Sequence, residues 1–305
     1  MHYYNSMRDL IGYTPLVKIN YAFEQVEGVN LFAKLEYYNP SGSVKDRTGL
    51  YMVEDAIKDG RLKRGSTIVE ATAGNTGLGV AFAALNQGFH VIFVVPEKFS
   101  EEKQILMKAL GADIIHTKRE DGMLGAAAKA QELLSEIKDS ISLQQFKNMS
   151  NPKAHYETTG PEIYQDLDGK IDYLVAGAGS GGTYSGVVKF LKEQNRNIKG
   201  ILADPVGSTM GGGEHADYDI EGIGNDFIAD TMDMSLVDKV IKINDSQAFD
   251  GARALARHEG ILGGSSTGAA FSVALKLIYE HHVKGNIVFI APDSGDRYFS
   301  KHLYA

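Results

Sequence analysis

The 305-residue chain contains no cysteine. That absence removes disulfides, thiolate zinc sites, iron–sulfur clusters and a cysteine nucleophile together, and it fits a reducing compartment. A cationic excess is missing as well. Lys and Arg number 31 against 39 Asp and Glu, the net charge is -8, and no stripe of clustered basic residues breaks that balance. A nucleic-acid surface needs such clusters to neutralise phosphates, so none is expected. Long apolar runs are also lacking: VIFVV (Val91–Val95) is far too short to cross a bilayer. The opening stretch MHYYNSMRDLIGYTPLV has neither the basic start nor the long apolar core of a signal peptide. These absences point to a cytosolic protein that works on small molecules.

What is present is ordinary for a soluble globular enzyme, with 43% apolar and 23% charged residues. The length suits one large α/β domain or two smaller ones. Short β-branched runs alternate with longer helical segments. Leu31–Leu35, Ser66–Thr72, His90–Val95 and Ala112–Thr117 read as buried strands, and the helical stretches between them end in Gly60, Gly88 and Gly111, as left-handed caps require. Ser100 is a good N-cap for the third stretch, with Glu101 and Glu102 in its first turn. The second half repeats the alternation. Asp172–Gly177, Ile198–Asp204 and Asn286–Pro292 read as strands, and Gly182–Glu193, Asp245–His258 and Ser266–His282 as helices. Such alternation predicts parallel sheets covered on both faces. The best boundary lies near Asn148–His155. It gives a smaller unit over 38–148 and a larger one from 1–37 plus 149–305. Asp204–Phe227 is glycine-rich and poor in aliphatics, which predicts a long functional loop.

Chemistry concentrates where strands end. IDYLVAGAGSGGTYSG (Ile171–Gly186) places Gly177, Gly179 and Gly182 at G-x-G-x-x-G spacing, and Asp204 follows where a ribose-binding acid would sit. The motif alone is a weak signal: it serves a dinucleotide or any other phosphate at a helix N-terminus. NPSGSVKDRTG puts Lys45 at a helix start among small residues. Such a lysine is an ordinary surface residue or an amine with a lowered pKa that can form a Schiff base. EATAGNTGLG makes Thr72, Ala73, Gly74, Asn75 and Thr76 a strand-to-helix turn, which is either a capped helix start or a carboxylate-binding turn. Gln144 and Gln145 close one short strand, and Ser294 follows the last one. His281 and His282 sit near a helix end, where positive charge is favourable, and no metal site is expected there or elsewhere.

Together these stretches resemble the cysteine synthase and cystathionine β-synthase family of pyridoxal phosphate enzymes. The resemblance runs from IGYTPLV (Ile11–Val17) to PDSGDRYFS (Pro292–Ser300), through NPSGSVKDR, TAGNTG, NPKAHYETTGPEI, GSGGTYSG, EGIGNDF and GGSS in family order. So many ordered matches answer the glycine motif against NAD. The resemblance implies the tryptophan synthase β-like fold, type II, with two doubly wound α/β domains and the cofactor in a cleft. It implies that Gly179, Ser180, Gly181, Gly182 and Thr183 hold the phosphate, and since no Lys or Arg lies in that loop, amides must do most of the binding. It makes Lys45 the internal aldimine lysine, gives Asn75 the ring hydroxyl oxygen and places Ser294 at the pyridine nitrogen. Thr72, Ala73, Asn75, Thr76 and Gln145 take the substrate carboxylate.

A neutral hydroxyl at the ring nitrogen makes a weaker electron sink than a carboxylate would, which favours prompt loss of a β-substituent over transamination. The implied activity is β-elimination or β-replacement on L-cysteine or L-serine through an aminoacrylate, with release of hydrogen sulfide. DPVGS (Asp204–Ser208) and EGIGNDFI (Glu221–Ile228) are closer to cystathionine β-synthases than to the O-acetylserine enzymes. The alternative is a cysteine synthase using O-acetylserine and sulfide, and the alternative from another class is an NAD-binding oxidoreductase. The family also implies a homodimer. Two departures stand out: Ala73 where many members carry Ser, and Ala229 where Pro commonly follows DFI, which loosens the cleft mouth. Asp226, in the glycine-rich EGIGNDF, is either a solvated loop acid or a group that accepts the proton of an incoming water or thiol. His155 lies in a family-like stretch and receives no chemical role from the sequence.

Overall fold

A computed structural model describes residues 1, 3–97 and 101–305. Ser100, expected to cap a helix, lies outside the described residues. In chain order the elements are β1 (Leu16–Lys18), β2 (Val29–Leu35), α1 (Lys45–Lys58), β3 (Thr67–Ala71), α2 (Asn75–Ala84), β4 (His90–Pro96), α3 (Glu101–Ala109), β5 (Asp113–Thr117), α4 (Gly122–Glu136) and β6 (Ser140–Ile141). There follow α5 (Ser150–Ala154), a π-helical turn (His155–Thr159), α6 (Gly160–Asp166), β7 (Tyr173–Gly177), α7 (Gly182–Gln194), β8 (Lys199–Pro205), β9 (Lys239–Ile243), α8 (Asp245–Glu259), α9 (Ser265–Tyr279) and β10 (Gly285–Ala291). The chain divides into two compact units, one of Met1–Ile11 with Lys45–Asn151 and the other of Gly12–Val44 with Pro152–Ala305. The first eleven residues therefore group with the smaller unit, where Arg8 pairs with Glu54 at 3.1 Å.

In the smaller unit, four parallel strands run in the order β5-β4-β3-β6. Period-2 alternation decides their burial. Ile68, Val91, Phe93 and Val95 join the core beneath α1 and α2, while Val69 and Val94 point to the opposite face, where Ala126, Ala130 and Leu133 of α4 cover them. Helix α2 is buried along nearly its whole length, and Gly49 of α1 meets Gly79 of α2 backbone to backbone. A side chain at either glycine would collide with main-chain atoms of the other helix. Gly60, Gly88 and Gly111 have φ values of 74°, 79° and 86°, the left-handed conformation that their capping positions require.

The larger unit carries a six-stranded sheet in the order β1-β2-β10-β7-β8-β9. Only the β1–β2 pair is antiparallel; the remaining neighbours are parallel. Leu31, Ala33, Ile287 and Phe289 face α8 and α9, and Leu174, Ala176, Val288 and Ile290 face α7. Strand β9, strand β1 and helix α4 escaped the sequence reading. Each is short or weakly patterned: β1 has three residues and no fully buried position, and α4 buries only Ala126, Ala130 and Leu133. Among the described residues no helix is long and apolar enough to cross a membrane.

Candidate active site

In the smaller unit the candidate residues gather at the carboxyl ends of β3 and its neighbour β6. The β3–α2 turn contains Thr72, Ala73, Gly74 and the first helical residues Asn75 and Thr76. Gly74 is the N-cap of α2 and supplies no side-chain cap. Buried Thr72 and Ala73 fix the turn against the core, and Gly77 admits the Met107 side chain beneath it. The short strand expected to close at Gln144 and Gln145 ends at Ile141, and Gln145 reaches the same turn from the loop beyond it: its Oε1 accepts the Thr76 hydroxyl at 2.7 Å.

A further contact holds Gln145, and its partner is held in turn. The Gln145 carbonyl accepts from Asn151 Nδ2 at 2.9 Å, and Asn151 Oδ1 accepts the Thr48 hydroxyl at 3.1 Å. Upstream, half-buried Glu70 accepts from the backbone amides of Leu143 and Gln144 and from the Ser142 hydroxyl. Gln144 takes φ 53°, so the chain turns sharply just before Gln145. Burial raises the Glu70 carboxyl above its usual pKa, while the three donors oppose that shift. Lys45 is the first residue of α1, and the Gly49–Gly79 contact sets its main chain on α2: a Cβ at Gly79 would run into the Lys45 carbonyl oxygen.

In the larger unit the loops after β10, β7 and β8 leave one edge of the sheet, because these strands are parallel neighbours. The loop after β7 is Gly179–Thr183. Gly181 is the N-cap of α7 with φ 82° and offers no side-chain cap. The loop's carbonyls point into the protein and are occupied. Ala178 accepts from Gly224 N at 2.7 Å, Gly179 from Asn225 Nδ2 at 2.9 Å, and Ser180 from the Thr231 hydroxyl at 2.5 Å. The overlying segment packs so closely that a Cβ on Gly179 would lie 2.6 Å from Gly222 O, and one on Gly181 would lie 2.7 Å from Met232 Cα.

Thr183 is oriented from the other side. His155, fully buried, has Nε2 at 3.2 Å from the Thr183 hydroxyl and Nδ1 at 3.0 Å from that of Thr159. Gly186, one turn along α7, makes room for this: its Cβ would lie 2.8 Å from His155 Cβ and collide with the Pro152 carbonyl. His155 also opens the π-helical turn, which widens the helix at that point. Sequence reasoning missed His155, Asn225 and Thr231 as supports of the loop.

Ser294 lies three residues beyond β10. Its backbone N–H donates to Gly42 O at 3.3 Å, and a bridge pairs it with Gly263. Although it is the N-cap of the following 3₁₀ helix, its hydroxyl makes no capping bond. The preceding Asp293 is buried and accepts the Tyr298 hydroxyl, whose pKa burial pushes well above the ordinary value. Asp226 lies on the loop after β8, its side chain 61% exposed, with Oδ1 at 2.8 Å from His215 Nδ1.

Asp204, the acid suited to a ribose, is only 1% exposed. Its carboxylate accepts from Lys242 Nζ at 2.5 Å and from Gly211 N at 3.0 Å. It therefore ties β8 to β9 and to its own loop, which leaves the NAD reading without its ribose ligand. His281 Nδ1 stands 3.0 Å from Lys239 Nζ on the surface, and among the described residues no group of three acids or histidines is placed to hold a metal. Capping-free amides at the start of a 13-residue helix, one hydroxyl held by a buried histidine, and carbonyls turned away from the opening suit a single phosphate monoester. In the same unit the Ser294 hydroxyl, beyond β10, is a neutral donor without a capping bond.

The chain belongs to a family of enzymes that use pyridoxal phosphate: the family model described as "Pyridoxal-phosphate dependent enzyme" matches residues 7–293. Within it, the chain is 50% identical over 296 residues to the O-acetylserine dependent cystathionine beta-synthase of Bacillus subtilis, covering 97% of this chain and 96% of that protein. Its fold matches the crystal structure of an O-acetylserine dependent cystathionine beta-synthase from Helicobacter pylori, with TM-score 0.93, 43% identity and complete coverage of both chains. A hydrogen sulfide-producing enzyme from Fusobacterium nucleatum superposes with TM-score 0.92 at 41% identity, over 97% of this chain and all of that one.

Proposed function

We propose that the enzyme removes or replaces the β-substituent of cysteine or serine, and that with cysteine the departing group is sulfide. The observation that carries this reading is the β3–α2 turn: a helix start capped by glycine, two buried threonines and Gln145 suit a carboxylate in the unit that bears Lys45. When bound, pyridoxal phosphate supplies the electron sink that acidifies the substrate's α-hydrogen. Lys45 is its attachment residue, and Lys45 Nζ then takes the α-proton. Thr72, Ala73, Asn75, Thr76 and Gln145 hold the substrate carboxylate, and Asn75 also meets the cofactor's ring oxygen. Gly179, Ser180, Gly181, Gly182 and Thr183 bind the phosphate, and the Ser294 hydroxyl meets the ring nitrogen. Asp226 accepts the proton of the second substrate, water or a thiol, as that nucleophile bonds to the β-carbon. A carboxylate suits a neutral nucleophile and repels hydrosulfide, so sulfide is more readily a product than a nucleophile. The working form is a homodimer.

A second reading draws on the two relatives named for O-acetylserine: here O-acetylserine is the donor, and a thiol or sulfide is the nucleophile. A donor panel of cysteine, serine and O-acetylserine, each with water, sulfide or a thiol as acceptor, separates the two. Sulfide from cysteine at the highest kcat/KM supports the first reading; turnover confined to O-acetylserine overturns it. Borohydride reduction of the holoenzyme followed by peptide mapping should tag Lys45, and a tag on another lysine removes its assignment.

A further inference from the structure

We propose that His215 positions the Asp226 carboxylate for the proton transfer assigned to it above, so that the working group is a His–Asp dyad; this rests on the reading of Asp226 just given. Nδ1 of His215 lies 2.8 Å from Asp226 Oδ1. An ionised carboxylate only accepts hydrogen bonds, so Nδ1 is the donor in this pair. One carboxylate oxygen is thereby committed to the imidazole. The other keeps its lone pairs in a fixed direction.

Both side chains are well exposed, at 63% and 61%. A pair held only by its own side chains at such exposure would be worth little. Here the backbones on both sides are fixed. Asn225, directly before Asp226, is held at four points: its N–H donates to Ser208 Oγ at 3.0 Å, its carbonyl accepts from Thr209 N and Met210 N at 3.0 and 3.2 Å, and its side chain donates to Gly179 O at 2.9 Å. The last of these ties Asp226 to the phosphate loop itself.

On the other side, Gly212 and Gly213, at φ 84° and 102°, turn the chain back towards β8, and Ala216 N then donates to Gly207 O at 3.1 Å. Gly207 has to be glycine there, because a Cβ would collide with the Ala216 carbonyl. Tyr218 braces the two strands of the loop, its ring against Gly207 and its hydroxyl against Gly224. Burial, then the Asp226, Asp204 and Asp245 charges, raise the pKa of that hydroxyl, so Tyr218 faces the dyad as a neutral group.

As water or a thiol, X–H, forms its X–C bond to the β-carbon, the X–H bond breaks, its proton passes to the second oxygen of Asp226, and the π pair of the Cα–Cβ double bond left by the departed substituent moves to Cα. His215 gains and loses nothing in that step. Its role is orientation, and the expected contribution is about tenfold in rate, the scale of one well-placed hydrogen bond.

The test uses the holoenzyme with cysteine as donor and follows two readouts, the burst of sulfide in a single turnover and the steady-state rate. His215→Ala should lower kcat about tenfold, with the sulfide burst and KM nearly unchanged. His215→Asn, which keeps an N–H donor near the Nδ1 position, should restore the rate to within about threefold. Adding His215→Ala to Asp226→Asn should cost nothing further. Nitrogen-15 spectra of the imidazoles should show the Nδ1–H tautomer at His215 in the parent protein and its loss in Asp226→Asn. If Asp226→Asn is slow while His215→Ala runs at the parent rate, or if the two effects simply multiply, His215 has no positioning role and the assignment of Asp226 stands. If Asp226→Asn runs at the parent rate, the proton-accepting role of Asp226 itself falls, and the dyad with it.

Discussion

A single buried imidazole orients one of the two side-chain hydroxyls in the loop after β7, that of Thr183. His155 contacts Thr183 at 3.2 Å and Thr159 at 3.0 Å, and no exposed group could hold Thr183 as rigidly. Replacing it by leucine fills similar space but leaves both hydroxyls without this partner, which typically costs about 1–3 kcal/mol in a buried setting. Part of that cost falls on cofactor affinity. His155→Leu should therefore weaken pyridoxal phosphate binding roughly tenfold, as measured by titrating apoenzyme with the cofactor and following its absorbance. An unchanged dissociation constant would reduce His155 to a packing residue. The sequence could not reveal this contact. Between His155 and Thr183 lie 27 residues that form the rest of the π turn, α6, β7 and the loop, and only their folding brings the two side chains together.

At the scale of elements, the decisive packing is that of α1 on α2. Helix α2 has little amphipathic contrast and is buried nearly all round, so sequence periodicity could not say which face meets α1. Gly49 and Gly79 decide it, because only glycine at both positions lets the two backbones touch. Since the contact includes the Lys45 carbonyl, the same pair places the start of α1. Gly79→Ala should push the helices apart and cost about 1–3 kcal/mol, the usual range for overpacking, readable as a lower urea midpoint with an unchanged slope. The displaced Lys45 should also be labelled more slowly by cofactor and borohydride. A variant with parental stability would show that the helices adjust without strain. Other elements were legible from sequence. The strands β2, β3, β4, β5, β7, β8 and β10 appear within a residue or two of their expected bounds, because buried β-branched runs between glycine caps are a strong pattern. The short strand β1 and the weakly buried α4 lacked that pattern.

For the whole molecule, each unit has its own sheet and its own core, and the chain passes between them after Ile11, Val44 and Asn151. The second passage falls at Lys45, the third six residues after Gln145. The family's cofactor is a ligand of the native state, so its binding couples to folding. A ligand bound only by the native state adds about 2.7 kcal/mol at a hundredfold excess over its dissociation constant. For a chain of 305 residues that corresponds to roughly 4 °C in Tm. The holoenzyme should melt higher by that amount than apoenzyme stripped with hydroxylamine, and restoring pyridoxal phosphate should recover the difference. Identical melting temperatures would mean that the cofactor contributes nothing to native stability.

The sequence by itself determined the alternation of strands and helices, the parallel character of both sheets and the family. Those properties follow from local patterns: apolar period, caps, and short motifs such as SVKDR and GSGGT whose residue types are dictated by what they bind. Tertiary structure alone decided which side chains support them. It consumed Asp204 in a buried ion pair with Lys242, joined Thr76 to Gln145 across 69 positions, set His155 behind Thr183 and brought His215 to Asp226. Each of these depends on a close approach between segments distant in sequence, often at a glycine. A glycine's letter records that space is needed there, not what will fill it.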